Sequence, residues 1–147
     1  MSAYKWKTGS QHKIDADTAG AVCEQLEQTI GLTAQTLVDA SRPADAPLHG
    51  EFEWDDAIAA ESYRQDQARY IIRSLCVVSE QEETQPVRAF FTIAQQPYER
   101  VEAIMSVEEK RTALLDLALR ELKAFESKYS QLVELAGVFE AAHRLYD

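Results

Sequence analysis

The stretch that decides the fold is Leu115-Asp-Leu-Ala-Leu-Arg-Glu-Leu-Lys-Ala-Phe-Glu-Ser-Lys-Tyr129-Ser-Gln-Leu-Val-Glu-Leu-Ala-Gly-Val-Phe139-Glu-Ala-Ala-His-Arg-Leu-Tyr146. Within it Leu115, Ala118, Leu122, Phe125, Tyr129, Leu132, Ala136, Phe139, His143 and Tyr146 follow one another in alternating steps of 3 and 4. Only His143 breaks the apolar series. This is the a/d spacing of a heptad repeat. No proline follows Pro97, and Gly137 alone weakens the helix. The pattern predicts one helix of about 40 residues from near Ser106, roughly 60 Å long. A second row, Leu135, Val138, Ala142 and Leu145, flanks the first near its end. Leu114, Leu117 and Leu119 widen it at the other end, beyond what a two-stranded coil needs. The expectation is a long oligomerising helix with Leu115, Leu122, Phe125, Tyr129, Leu132 and Phe139 at the interface. The alternative is a break near Ser127–Ser130 that folds the stretch into an antiparallel pair.

Upstream, Ala19, Val22, Leu26 and Ile30 mark one face of a helix, with Asp15 or Asp17 as its cap and Gly31 as its stop. Thr33 caps a second, shorter helix that ends before Pro43. Pro43-Ala-Asp-Ala-Pro47 is a loop. A third helix is expected from Trp54-Asp55-Asp56 to Leu75, since acids in a first turn suit the dipole. Cys76–Val78 and Val87–Ile93 read as two short strands around the polar run Ser79–Pro86, pairing as a small hairpin. The fold expected is mainly α with a small two-stranded β element. It comprises an arm (1–14), a compact helical domain (15–97) with a hairpin at about 76–93, and a long coiled-coil-like amphipathic helix (98–147).

The 147 residues carry 15 Lys or Arg and 25 Asp or Glu, a formal net charge of -10. The acidic excess is shared by both halves, so the chain as a whole repels nucleic acid. The exception is the start, where Lys5, Lys7, Lys13 and His12 occur without an acid and with Tyr4 and Trp6 interleaved. Lys5, Trp6, Lys7 and Lys13 are the candidate nucleic-acid arm. The other reading is a segment whose aromatics pack on the body. Gln35 and Thr36, on the second of two short helices, give a helix-turn-helix its reading residues, but Asp39 opposes phosphate.

No apolar run approaches the roughly 20 residues of a membrane span, and no secretory signal is visible. The expected place is the cytoplasm of a host bacterium, or a virion. Cys23 and Cys76 read as buried free thiols. The five glycines form no phosphate cradle. One Glu140-x-x-His143 is half of what a di-iron bundle uses twice. No cofactor, no metal and no catalytic constellation is expected.

The middle of the chain carries Gly31-Leu-Thr33, Leu37-Val38, Pro47-Leu-His49, Phe52-Glu-Trp-Asp-Asp56, Ala59-Ala-Glu61, Tyr63-Arg64, Gln67-Ala-Arg69 and Ile71-Ile72. This block resembles a group of small bacteriophage and prophage proteins to which no activity attaches. The resemblance extends to Trp6-Lys7 and the final helical stretch. It implies a phage context and nothing catalytic. Physically, Trp54, Phe52 and Arg64 are the residue types that dominate docking hot spots. The competing reading is a loop pinned to the third helix by a network of His49, Asp55 and Arg64. The function expected is that of a non-catalytic homo-oligomer, a structural or protein-interaction module binding itself and a further protein. The alternatives are a DNA-associated accessory protein and an acidic inhibitor that mimics DNA to a host enzyme.

Overall fold

A computed structural model describes residues 4–58, 60–78 and 86–146. Ala59 and most of the polar run between the expected strands lie outside the described residues. The chain is mainly helical and divides into two compact units, Met1–Ala103 and Ile104–Asp147.

In the first unit, helix α1 (Ala16–Gln28) starts at Asp15, whose carboxylate accepts the Thr18 N–H at 2.9 Å. It stops at Gly31, which takes φ +97° and donates its N–H to the Leu26 carbonyl at 2.7 Å. Glycine meets no steric penalty in that left-handed region. Helix α2 (Ala34–Ser41) opens with a reciprocal box in which Thr33 and Thr36 bond each other's backbone N–H. Helix α3 (Glu61–Ser74) starts seven residues later than the expected Trp54. Asp55 explains the delay: its carboxylate takes the Ala57 N–H at 2.9 Å and its carbonyl takes that of Ile58. These local bonds compete with helix initiation.

The expected hairpin forms only in part. Strands β1 (Tyr4–Trp6), β2 (Leu75–Val77) and β3 (Val87–Arg88) make one antiparallel sheet in that order. Its third strand is the segment expected to be an arm, with Tyr4 opposite Val77 and Trp6 opposite Leu75. After Arg88 the chain leaves this sheet. Strand β4 (Phe90–Phe91) pairs instead with β5 (Glu99–Arg100), across a turn where Ala94 and Gln95 adopt positive φ. Phe90, Leu32, Leu37, Val38, Ile72 and Leu75 are sealed from solvent in the core. The unit runs past residue 97 because the Tyr98 N–H reaches the Leu32 carbonyl at 2.6 Å and the Arg100 side chain grips Glu24 and Glu27 of α1.

The second unit begins within short helix α4 (Val101–Met105). The single long helix is not formed. Helix α5 (Glu108–Tyr129) ends after 22 residues, Leu132 is extended, and the chain returns through a 3-10 turn (Val133–Leu135) into helix α6 (Ala136–His143). The broken alternative is the one adopted. Its cause lies in the seam itself, because apolar rows repeated at 3 and 4 pair as readily within one chain as between two. Phe139 meets Phe125 edge-on at 6.0 Å, Lys123 lies 4.7 Å over the Tyr146 ring, and His143 contacts Glu126. The intramolecular partner arrives at high effective concentration. No helix among the described residues is long and apolar enough to cross a membrane.

Candidate functional site

The six seam residues part company. Leu115, Leu122, Phe125 and Tyr129 stay on α5, Leu132 falls in the connecting turn, and Phe139 turns inward and is buried. Phe139 is therefore corrected from an oligomer contact to the hydrophobic anchor of the α5–α6 pair. Helix α5 itself has no buried residue. Leu115 is 54% exposed and Phe125, despite its ring contact, 45%. A helix of this length draws most of its stability from packing one face, yet in this one Leu114, Leu117, Leu119, Leu122 and Tyr129 are only partly buried.

The residues around Trp54 do come together. The indole N–H donates to the His49 carbonyl at 2.7 Å, and the His49 ring stacks on it at 5.0 Å with planes 6° apart. Phe52 is buried and tilted against the same indole at 5.5 Å. The Arg64 guanidinium lies 5.2 Å over the indole centroid and that of Arg42 lies 5.8 Å over it. Arg64 is only 5% exposed, donates Nε to the Glu53 carbonyl at 2.9 Å, and pairs with Asp56. The acid in this network is thus Asp56, while Asp55 serves the turn. A cation held over an indole and bonded to carbonyl and carboxylate is a finished structural joint. It fastens the loop 49–56 to α3, and Phe52 and Arg64 have little surface left with which to dock a partner.

The basic N-terminal segment is fastened too. Trp6 donates its indole N–H to the Ile14 carbonyl at 2.8 Å. Lys13 donates Nζ to the Gly50 carbonyl at 3.2 Å. Between them the His12 ring is sandwiched by Trp6 at 3.6 Å and Tyr70 at 5.0 Å, with 1% of its side chain exposed. Glu51 approaches its Nδ1 at 3.5 Å and also accepts the N–H groups of Lys13 and Ile14. Neither His12 nitrogen has a hydrogen-bond partner among the described residues. Burial drives the His12 pKa below its ordinary value, against the opposing pull of Glu51. Lys5 and Lys7 remain exposed. Sequence reading missed His12, Glu51 and Tyr70 as a group, since no local period links positions so far apart.

The helix-turn-helix residues are engaged within the chain. Gln35 bonds Asp39 and Gln65, Thr36 closes its box, and Arg42 pairs with Asp39 and Glu61. Cys23 and Cys76 are free and buried, and burial pushes the Cys23 thiol up to about 12. Among the described residues no group of His, Cys, Asp and Glu is arranged to hold a metal. Comparisons with protein-family models, curated proteins and solved structures give no match.

Proposed function

We propose that this chain is a non-catalytic homo-oligomeric interaction module whose self-association surface is α5. The observation that carries the reading is a 22-residue helix with leucines at 114, 115, 117, 119 and 122 and no buried residue. A second copy fits this surface because the 3-4 row is self-complementary. Charge favours antiparallel helices. Glu121 and Lys128 flank the row on one side, so an antiparallel pair sets each against its opposite. A parallel pair sets Glu121 against Glu126. The phage context rests on the Pro47-Leu-His49 and Phe52–Asp56 block and its resemblance, and a structural role in a phage or its host follows from that context.

The test is the native mass of the purified chain against that of Leu115→Asp. Burying each leucine contributes about 1.5–3 kcal/mol, and a symmetric pair counts it twice. The substitution therefore weakens association by about two to four orders of magnitude. The wild type is expected to run as a discrete oligomer and the variant as a folded monomer with unchanged helicity. A monomeric wild type at tens of micromolar overturns the proposal.

A further inference from the structure

Glu51 is a nearly buried carboxylate that meets no lysine or arginine. Its side chain is 7% exposed. Oε1 accepts the N–H groups of Lys13 at 2.6 Å and Ile14 at 3.0 Å, while Oε2 has the His12 ring at 3.5 Å. These bonds hold the carboxylate in place but bring it no cation. The His12 ring is uncharged near neutral pH, since burial disfavours its protonated form. Lys13 turns its Nζ to the Gly50 carbonyl at 3.2 Å and forms no ion pair with Glu51. Arg42, Arg64, Arg69 and Arg100 of the same unit pair with other carboxylates. Residues 1–3, 59, 79–85 and 147 include no Lys, Arg or His. A charge taken out of water without a counter-charge is costly, and a bound cation removes that cost.

Glu51 and His12 line a cavity of about 520 Å³ between the segment before α1, the loop 49–56 and α3. Tyr63 and Tyr70 line it from α3, seven positions apart and about half exposed. Asp66, one helical turn from each, adds a second and exposed carboxylate. The Tyr70 ring is fixed, since it stacks on His12 at 5.0 Å and its hydroxyl takes the Gln11 N–H at 3.0 Å. His12 contributes a polar group still to be satisfied. Its side chain is 1% exposed, and neither nitrogen has a hydrogen-bond partner among the described residues. A neutral imidazole keeps one nitrogen as an acceptor, which suits a ligand that carries N–H donors. Aromatic faces attract ammonium and guanidinium groups, and carboxylates bond their N–H groups strongly. Among the described residues no group is arranged to hold a metal, so the matching chemistry is that of an organic cation. The net charge of -10 draws such cations toward the chain at long range.

We infer that this cavity binds the guanidinium or ammonium group of an organic cation, with Glu51 as its counter-charge, Tyr63 and Tyr70 as its aromatic walls and His12 as a hydrogen-bond acceptor. The group comes either from a free small amine or from a basic side chain of a peptide. The experiment is calorimetric titration of the full chain at neutral pH with agmatine, and separately with a capped glycine peptide carrying one central arginine. Saturable binding is expected, weakened about tenfold or more by Glu51→Gln and about two- to fivefold by Tyr63→Ala. Asp45→Asn, which removes the same charge outside the cavity, should bind as wild type does. The amide of Glu51→Gln still offers an oxygen to the Lys13 and Ile14 N–H groups, and urea denaturation without probe establishes that each variant folds. Agmatine at least as tight as the peptide assigns a free cation. Peptide binding much tighter than agmatine assigns the side chain. Absence of binding to both probes, or equal binding by Glu51→Gln and wild type, overturns the inference. Should Glu51→Gln fail to fold, equal binding by Tyr63→Ala and wild type overturns it instead.

Discussion

Replacing Gly20 by alanine tests how β1 is seated. Gly20 lies mid-way along α1, where alanine ordinarily adds about 1 kcal/mol of helix stability. A Cβ at this position, however, lies 2.5 Å from Cγ of Tyr4 and nearer still to two other carbons of that ring. Ordinary contact needs roughly 3.5–4.0 Å, so the ring must retreat by more than an ångström. Its room to retreat is small, because the ring is itself buried and stacks on Phe90 at 5.9 Å with planes 6° apart, and Phe90 is fully buried. Expelling a buried aromatic costs about 3–5 kcal/mol. After the helix gain the expected net loss is about 2–4 kcal/mol. The assay is urea denaturation of wild type, Gly20→Ala, Tyr4→Ala and the double variant. With Tyr4 truncated the clash is gone, so the same Gly20→Ala change should reverse sign and stabilise by about 1 kcal/mol. A destabilising effect of equal size in both backgrounds would refute the close-approach explanation.

Other expectations concern the joints and the surface. His12 has a folded pKa below its unfolded value of 6.5, because burial disfavours the charged ring despite Glu51. Its contribution is whole above pH 6.5 and is lost as pH falls from there through the folded pKa. The urea midpoint should drop across that window, and His12→Phe, which keeps the stacking on Trp6 and Tyr70, should flatten the drop. Arg64→Met removes charge-assisted bonds to the Glu53 carbonyl and Asp56 and should cost about 1.5–3 kcal/mol. Asp56 is largely exposed, so no buried charge is stranded, and a loss above 5 kcal/mol would contradict this account. Glu121→Lys should weaken the oligomer by roughly 0.5 kcal/mol per cross-pair, and adding Lys128→Glu should restore it. Failure of the double charge reversal to restore wild-type affinity would exclude the antiparallel arrangement.

The parts of the fold legible in the sequence were those governed by local chemistry. Asp15, Thr33 and Gly31 announce the ends of α1 and α2 through capping, and the structure uses all three. The start of α3 was misplaced because Asp55 can serve either a first turn or a side-chain turn, and the choice depends on Arg64 drawing Asp56 toward α3. Strand β1 could not be read at all. Three residues carry no period, and each partner lies 69 to 73 positions away. The C-terminal seam shows the opposite difficulty. Its periodicity is strong, but a 3-4 row specifies an apolar face and not the owner of the surface that covers it, so Phe139 closes on Phe125 where an intermolecular seam was expected. The Trp54 cluster was recognised by composition, yet only geometry shows that Arg64 is consumed in holding it.

The pairing of β1 with β2 also sets the order in which the chain can be completed. Tyr4–Trp6 cannot join a sheet until Leu75–Val77 exists. A ribosome adding about 5–20 residues per second needs several seconds to make it. During that interval Tyr4 and Trp6 have no strand to pair with, and each exposes an aromatic ring. Lys5 and Lys7 alternate with these rings, and such charges are what discourage one nascent strand from pairing with another. The same two lysines that face outward in the finished fold therefore guard this strand while it waits.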